Sequence, residues 1–248
     1  MTSPSSLSFD QIASRYDATR GGDARGRVIA KVIEPWLPAE GRVLEIGVGT
    51  AVVATAIAAL RSTVVGVDLS GAMLAVAAGR FGGPLLNADA SALPFRDGQL
   101  AAVYGVWVLH LVGDQAAVLA ECHRVLRPGG RVLAVVTDET RRVGPPQLVA
   151  LERRYRHRTD ALAHLDPLAT TAGFRRVHVE PMTPFGRPMP AAELADHLEQ
   201  RTWSWLWEVA PAAWEEEVVP VIAELRAKPE GGEPVVQQVA NQLVVWEK

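Results

Sequence analysis

Short, wholly apolar runs alternate along the chain with stretches in which apolar residues recur every three or four positions. That is the pattern of parallel strands buried on both faces, each followed by a helix. Runs at 42–46, 64–68, 84–88, 100–107 and 131–137 predict the first five strands, and helices are predicted over 24–36, 50–60, 71–80 and 115–127. Pro35 and Pro38 end the first of these helices, and Pro128-Gly129-Gly130 forces the turn into the fifth strand. Further on, 166–182 reads as a helix, a turn at Gly173-Phe174 and a sixth strand from Arg176 to Met182, and 242–248 reads as a last strand. Phe9, Ile12, Ala13 and Tyr16 share one face of an N-terminal helix that ends near Gly21-Gly22, while residues 1–8, rich in Ser, Thr and Pro, are expected to form a disordered tail.

The first strand carries the most chemistry. It runs from Arg42 into Gly47-Val48-Gly49-Thr50-Ala51 and then into an alanine-rich helix. Glycines at a strand-to-helix turn allow a sharp bend and a close approach of backbone to ligand, with helix N–H groups beyond it. The second strand ends in Asp68, about 20 residues further on, where a carboxylate can accept from both hydroxyls of a ribose. Two ligands fit that spacing, a nicotinamide dinucleotide and S-adenosylmethionine. Val52 stands where the dinucleotide fingerprint wants a small residue and would crowd a pyrophosphate.

Glu45, Gly47, Gly49 and Thr50 resemble the first motif of the class I S-adenosylmethionine-dependent methyltransferases, with Ala51 in place of its last glycine. The resemblance continues through Gly66-Val67-Asp68-Leu69-Ser70 with Met73-Leu74, through Ala88-Asp89-Ala90 with Leu93-Pro94-Phe95, and through 124–130, covering roughly residues 8 to 137. It implies an α/β, Rossmann-like, doubly wound sheet of seven mostly parallel strands with helices on both faces, the last strand antiparallel between the fifth and sixth. It also implies S-adenosyl-L-methionine as cofactor, contacted by Tyr16, Arg20, Glu45, Gly47, Val48, Gly49, Asp68, Leu69, Met73, Asp89, Ala90 and Val106. Asp89 and the N–H of Ala90 would face the adenine, although Asp89 also suits a cap on the turn before Ser91. Tyr16 and Arg20 would lie over the methionine end.

The fourth strand should open onto the transferable methyl group, since ligands in open parallel sheets bind beyond the carboxyl ends of strands where the strand order reverses. Trp107 there reads either as a wall of the acceptor pocket or as core. His110 reads either as a structural residue or as a general base. The Rossmann-like domain is expected over 9–182 and 241–248, and a helical cap over 183–240. Trp203, Trp205, Trp207 and Trp214 in that insertion form either the cap's own core or, with Trp203 and Trp207 foremost, an acceptor wall. Arg153, Arg154, Arg156 and Arg158 suggest a solvated basic helix face, or one that meets a phosphate or carboxylate.

Composition narrows the partners. A formal charge of −3 gives no reason to expect a nucleic-acid partner. The single cysteine, Cys122, rules out an intramolecular disulfide and sits in a helical pattern that suits a packed, inert thiol. No apolar run is long enough to span a membrane, no signal segment is recognisable, and His157, His164 and His178 have no metal-site spacing. The expectation is a cytoplasmic methyltransferase that needs no metal and acts on a small, largely apolar molecule. The acceptor's identity, the atom methylated and the oligomeric state stay open. So do a cofactor-binding protein without transfer activity and an NAD(P)-dependent oxidoreductase.

Overall fold

The computed structural model of the protein describes residues 9–248 apart from 11, 14, 15, 62, 156–160, 186, 187, 208 and 237. The expected tail over 1–8 lies outside the described residues, as do Arg156, His157 and Arg158. The apolar runs form β1 (Val43–Ile46), β2 (Val64–Asp68), β3 (Leu85–Asn87), β4 (Leu100–Val106) and β5 (Leu126–Val143). With β6 (Arg175–Phe185) and β7 (Gln238–Glu247) they make one seven-stranded sheet in the order β3-β2-β1-β4-β5-β7-β6. β1 pairs in parallel with both β2 and β4, β2 with β3, and β4 with β5. β7 is antiparallel. The chain end shows why: Lys248 N–H donates to the Gly130 carbonyl at 2.9 Å and the Gly129 N–H to the Lys248 carbonyl at 3.1 Å.

Among the described residues the α-helices of five residues or more are α1 (Tyr16–Arg20), α2 (Gly22–Ile33), α3 (Val52–Ala58), α4 (Gly71–Ala77), α5 (Gln115–Val125), α6 (Pro146–Tyr155), α7 (Leu162–Thr171), α8 (Ala191–Glu199) and α9 (Val219–Arg226). Pro35 closes α2 through a short 3₁₀ turn, Glu34–Trp36. β5 begins earlier than the sequence suggests. Leu126 already pairs with Leu100, the next pair is Arg131 with Ala102, and the residues between, including Gly129 at φ 71°, bulge out of the ladder.

All four residues of β1 are buried, so both faces of the sheet are covered. On one face Leu44, Ile46, Val67 and Val103 join Leu119 and Cys122 of α5 and Leu165 and Ala169 of α7 in a single apolar cluster. Burial pushes the Cys122 thiol up to about 12, so it is inert at neutral pH. On the other side α2 packs on α3, and Gly26 allows it: a Cβ there would stand 2.3 Å from the Val52 carbonyl oxygen.

The chain divides into two compact units. The first comprises residues 1–136, 159–182 and 242–248, and the second 137–158 and 183–241. The second unit is larger than the expected insertion because Leu148 and Leu151 of α6 belong to the same apolar cluster as Leu194, Leu198, Leu206 and Ile222. Trp205 is buried in that cluster, and Trp203 and Trp214 pack against it. Trp203 stacks on Trp205, with ring centroids 6.2 Å apart. The Trp207 indole N–H donates to the Arg201 carbonyl at 2.8 Å, and the Arg201 guanidinium lies 4.0 Å from the Trp214 ring centroid. These contacts place Trp203, Trp205 and Trp214 in the core of their own unit and tie Trp207 to Arg201. Arg154 of the basic helix pairs with Glu217 at 3.2 Å.

Candidate active site

Strand order reverses between β1 and β4, and a cavity of about 390 Å³ opens at that point beyond the strand ends. It lies wholly within the first unit. The turn after β1 forms one side. Gly47 (φ 62°), Gly49 (φ 54°) and Ala51 (φ 61°) all adopt the left-handed conformation, which costs a residue with a Cβ roughly 1–2 kcal/mol. The two glycines differ in surroundings. A Cβ on Gly47 would meet Val108 Cγ2 at 2.4 Å, whereas one on Gly49 would meet nothing within 4 Å and would project into the space beside the turn.

Asp68 stands at the tip of β2 and ties this turn to the next. Its Oδ2 accepts from the Gly49 N–H and its Oδ1 from the Ser70 N–H, each at 2.8 Å. Burial raises its pKa, and the Ser70 and Gly49 N–H groups oppose that shift. The Leu69 N–H also supports the carboxylate, and of its roughly four acceptor positions Asp68 keeps capacity for a further donor. Asn87 donates to the Asp68 and Leu69 carbonyls, both at 2.9 Å, and holds the tip in place. Ser70 caps α4 by accepting from Met73 N–H at 3.0 Å.

Asp89, after β3, uses Oδ1 to cap its own turn, accepting from Ser91 N–H and Oγ–H at 2.8 Å each. The capping role weighed for it is therefore real. Asp89 also lines the cavity, and its Oδ2 forms none of these bonds. At the end of β4, Trp107 takes φ 51°, an uncommon conformation for a bulky residue and one often found at functional sites. The loop beyond it is pinned by Gln115, whose Nε2–H donates to the Leu109 carbonyl at 2.7 Å while its Oε1 meets His164 Nε2 at 3.0 Å.

The N-terminal segment forms the remaining wall. Asp17 of α1 accepts from Thr50 Oγ–H at 2.6 Å and pairs with Arg80 at 2.7 Å, which ties α1 to the glycine turn. Asp10 accepts from Ser70 Oγ–H and, at 3.3 Å, from Ala72 N–H. Between these ties, Phe9 and Tyr16 face the cavity with ring centroids 6.2 Å apart.

Of the residues expected to contact the cofactor, Tyr16, Gly47, Gly49, Asp68, Leu69, Met73, Asp89, Ala90 and Val106 line this cavity, and so does Trp107. Glu45, Val48 and Arg20 do not. Glu45 is 2% exposed and points into the sheet, because strand alternation puts it on the face opposite Leu44 and Ile46. There it accepts from Tyr104 O–H at 3.0 Å and from the Ala54 N–H near the start of α3, so that helix donor is spent inside the protein. Burial pushes the Glu45 carboxyl up to about 8. Val48 is buried against Gly66, and Arg20 lies over the Tyr16 ring at 5.4 Å. His110 is half-buried on the short turn Leu109–Leu111, where its neighbour Leu111 faces the cavity and His110 does not. Trp203 and Trp207 belong to the second unit. Phe9, Ser70, Ser91 and Asp114 line the cavity without having been expected. The one signal for them in the sequence was their place beside a motif or at a cap.

These groups suit an adenosyl ligand: a carboxylate with spare acceptor capacity at the β2 tip, a second one with a spare oxygen after β3, and open space over Gly49. Val52 is buried against Gly26 of α2 and does not line the cavity. Among the described residues no His, Cys, Asp and Glu cluster could hold a metal ion, and no helix is long and apolar enough to cross a membrane.

Fold and site together define a Rossmann-like domain with a cavity where the strand order reverses. Residues 44–134 match the methyltransferase domain family. It is 40% identical over 141 residues to the ubiquinone/menaquinone biosynthesis C-methyltransferase UbiE of Desulfotalea psychrophila, covering 52% of this chain and 56% of that protein. It is 38% identical over 130 residues to the demethylmenaquinone methyltransferase of Mycolicibacterium vanbaalenii, covering 50% and 56%. The chain thus spans little more than half the length of these relatives. Among solved structures, the YcgJ protein of Bacillus subtilis shares the fold with a TM-score of 0.57 at 20% identity, over 91% of this chain and 98% of that one. Phosphoethanolamine N-methyltransferase 2 of Haemonchus contortus, solved with phosphomonomethylethanolamine and S-adenosylhomocysteine, does so with a TM-score of 0.59 at 20% identity, over 96% and 57%.

Proposed function

We propose that the protein transfers the methyl group of S-adenosylmethionine to an oxygen, nitrogen or carbon nucleophile of a small, largely apolar molecule. The observation that carries this is the cavity at the strand-order reversal, which sets Asp68 and Asp89 around open space at Gly49 and continues into an apolar wall of Phe9, Val106, Trp107 and Leu111. The relatives that match the cofactor half are named for methylating quinone precursors, which supports an apolar acceptor. When bound, S-adenosylmethionine supplies a sulfonium methyl open to in-line displacement. Asp68 would hold the ribose through its remaining acceptor capacity, and Asp89 with Ala90 N–H the adenine. Leu69 and Met73 would cover the ring.

Val106 and Trp107 would set the acceptor's angle, while Phe9 and Tyr16 keep water from the reacting groups. Holding two reactants in line in a dry site can supply roughly 7–11 kcal/mol, so a dedicated base is not required. His110 is assigned a structural place in the Leu109–Leu111 turn.

The test is incubation with methyl-labelled cofactor and, separately, a small-molecule extract, total RNA and total protein. Label should enter the small-molecule fraction. Label confined to RNA or protein would overturn the acceptor assignment, and cofactor binding with no label anywhere would favour a protein that binds the cofactor without transferring from it.

A further inference from the structure

Two turns of the form Asp-x-Ser line the cavity, and they spend the serine hydroxyl differently. In the turn after β3, Asp89 Oδ1 accepts from both the N–H and the Oγ–H of Ser91, at 2.8 Å each. In the turn after β2, Asp68 Oδ1 accepts from the Ser70 N–H at the same 2.8 Å, but the Ser70 Oγ–H goes to Asp10, 60 residues away on the N-terminal segment. Ser70 is 2% exposed, so its proton needs a partner inside the protein. Its oxygen is occupied as well, accepting from the Met73 N–H at 3.0 Å. Asp10 Oδ1, which takes the proton, also accepts from the Ala72 N–H at 3.3 Å.

The difference falls on Asp68. Its carboxylate is already supported by the N–H groups of Gly49, Ser70 and Leu69, and a further donor from within the protein would use its remaining capacity. We propose that Asp10 is a positioning residue that draws the Ser70 hydroxyl away from Asp68 and so reserves an acceptor position of Asp68 for a ribose hydroxyl. The proposal rests on the reading of Asp68 as the ribose acceptor. Without Asp10, the Ser70 hydroxyl has the same residue spacing and the same N–H bond to its aspartate as Ser91 has, and it turns back onto Asp68 as Ser91 does onto Asp89. The ribose then competes with a donor that is covalently held beside the carboxylate.

Titration calorimetry on the full chain tests this with S-adenosylhomocysteine and its 2′,3′-dideoxy analogue, which lacks both ribose hydroxyls. The ratio of the two affinities reads the ribose contact alone, and the thermal midpoint of each unliganded variant reports its fold. Asp10→Ala should lower that ratio roughly three- to tenfold, the worth of one such bond, and leave affinity for the dideoxy analogue unchanged. Asp10→Asn keeps an acceptor oxygen for the Ser70 proton and should hold the wild-type ratio. Adding Ser70→Ala to Asp10→Ala removes the competing hydroxyl and should restore the ratio, although it also removes the cap of α4 and lowers the thermal midpoint. The proposal fails if Asp10→Ala keeps the wild-type ratio, if Asp10→Asn falls as far as Asp10→Ala, or if the added Ser70→Ala does not restore what was lost. It also fails if both ligands weaken together, since Asp10 would then only hold Phe9 at the cavity. A wild type that binds the two ligands equally, or binds neither, overturns the reading of Asp68 as well.

Discussion

Adding one methyl group to each glycine of the β1 turn separates the ligand site from the fold. Both glycines have positive φ, so alanine at either pays roughly 1–2 kcal/mol in the folded state, offset by roughly 0.4–1 kcal/mol of entropy removed from the unfolded chain. For Gly49→Ala that is the whole effect on folding, because its Cβ meets no atom within 4 Å and its N–H still reaches Asp68. The net loss is about 1 kcal/mol, a fall of roughly 2–4 °C in melting temperature for a chain of this size. The same Cβ enters the space beside the turn, so S-adenosylhomocysteine affinity should fall about tenfold or more, at the usual 1–3 kcal/mol for an extra group in a packed site. Gly47→Ala should behave in the opposite way. Its Cβ would lie 2.4 Å from Val108 Cγ2 and 2.9 Å from Val108 Cβ, so the clash is with the protein and stability falls by more than for Gly49→Ala. Differential scanning calorimetry with and without S-adenosylhomocysteine, together with titration calorimetry, measures both quantities. Wild-type affinity in Gly49→Ala would refute the reasoning, because the adenosyl ligand could not then lie over that turn.

Three further outcomes are expected. Asp68→Ala should lose at least about tenfold in S-adenosylhomocysteine affinity while remaining folded, since charge-assisted bonds contribute about 1.5–3 kcal/mol each; unchanged affinity by calorimetry would place the ribose elsewhere. Asp17→Ala removes the ties to Thr50 and Arg80 at partly exposed positions, so stability should fall by no more than about 1 kcal/mol while cofactor affinity falls several-fold through the loosened Tyr16 wall; equal affinity in the two proteins would sever that link. Glu45 gives a pH signature. Its carboxyl rises from 4.5 to about 8 on folding, so the folded protein holds a proton that the unfolded chain has released, and the resulting stabilisation is full below about pH 4.5 and lost as pH rises through about 8. Glu45→Gln stays neutral and can still accept from Tyr104, so urea unfolding should show the wild type losing stability relative to the variant between pH 6 and 9; parallel curves would mean that Glu45 is charged in the fold.

The sequence by itself determined the alternation of strands and helices, the turn at Gly47 and Gly49, and the carboxylates at Asp68 and Asp89. Each of these is local: an apolar run and its flanking turn fix a strand, and the strand's end fixes where the next side chain points. What needed the tertiary structure was every contact between segments far apart in the chain. Glu45 belongs to the motif by sequence, yet the pleat of β1 turns it into the core, to Tyr104 on the neighbouring strand. Phe9 and Tyr16 become cavity walls because Asp10 and Asp17 reach Ser70, Thr50 and Arg80. Arg25 comes over the Trp107 ring only because α2 packs against α3. The tryptophans of the insertion are legible as apolar weight, but which surface they cover depends on α6, a helix some 50 residues earlier in the chain that joins Leu194 and Ile222 in one cluster. Periodicity records which face of an element is apolar, and not which other element will cover it.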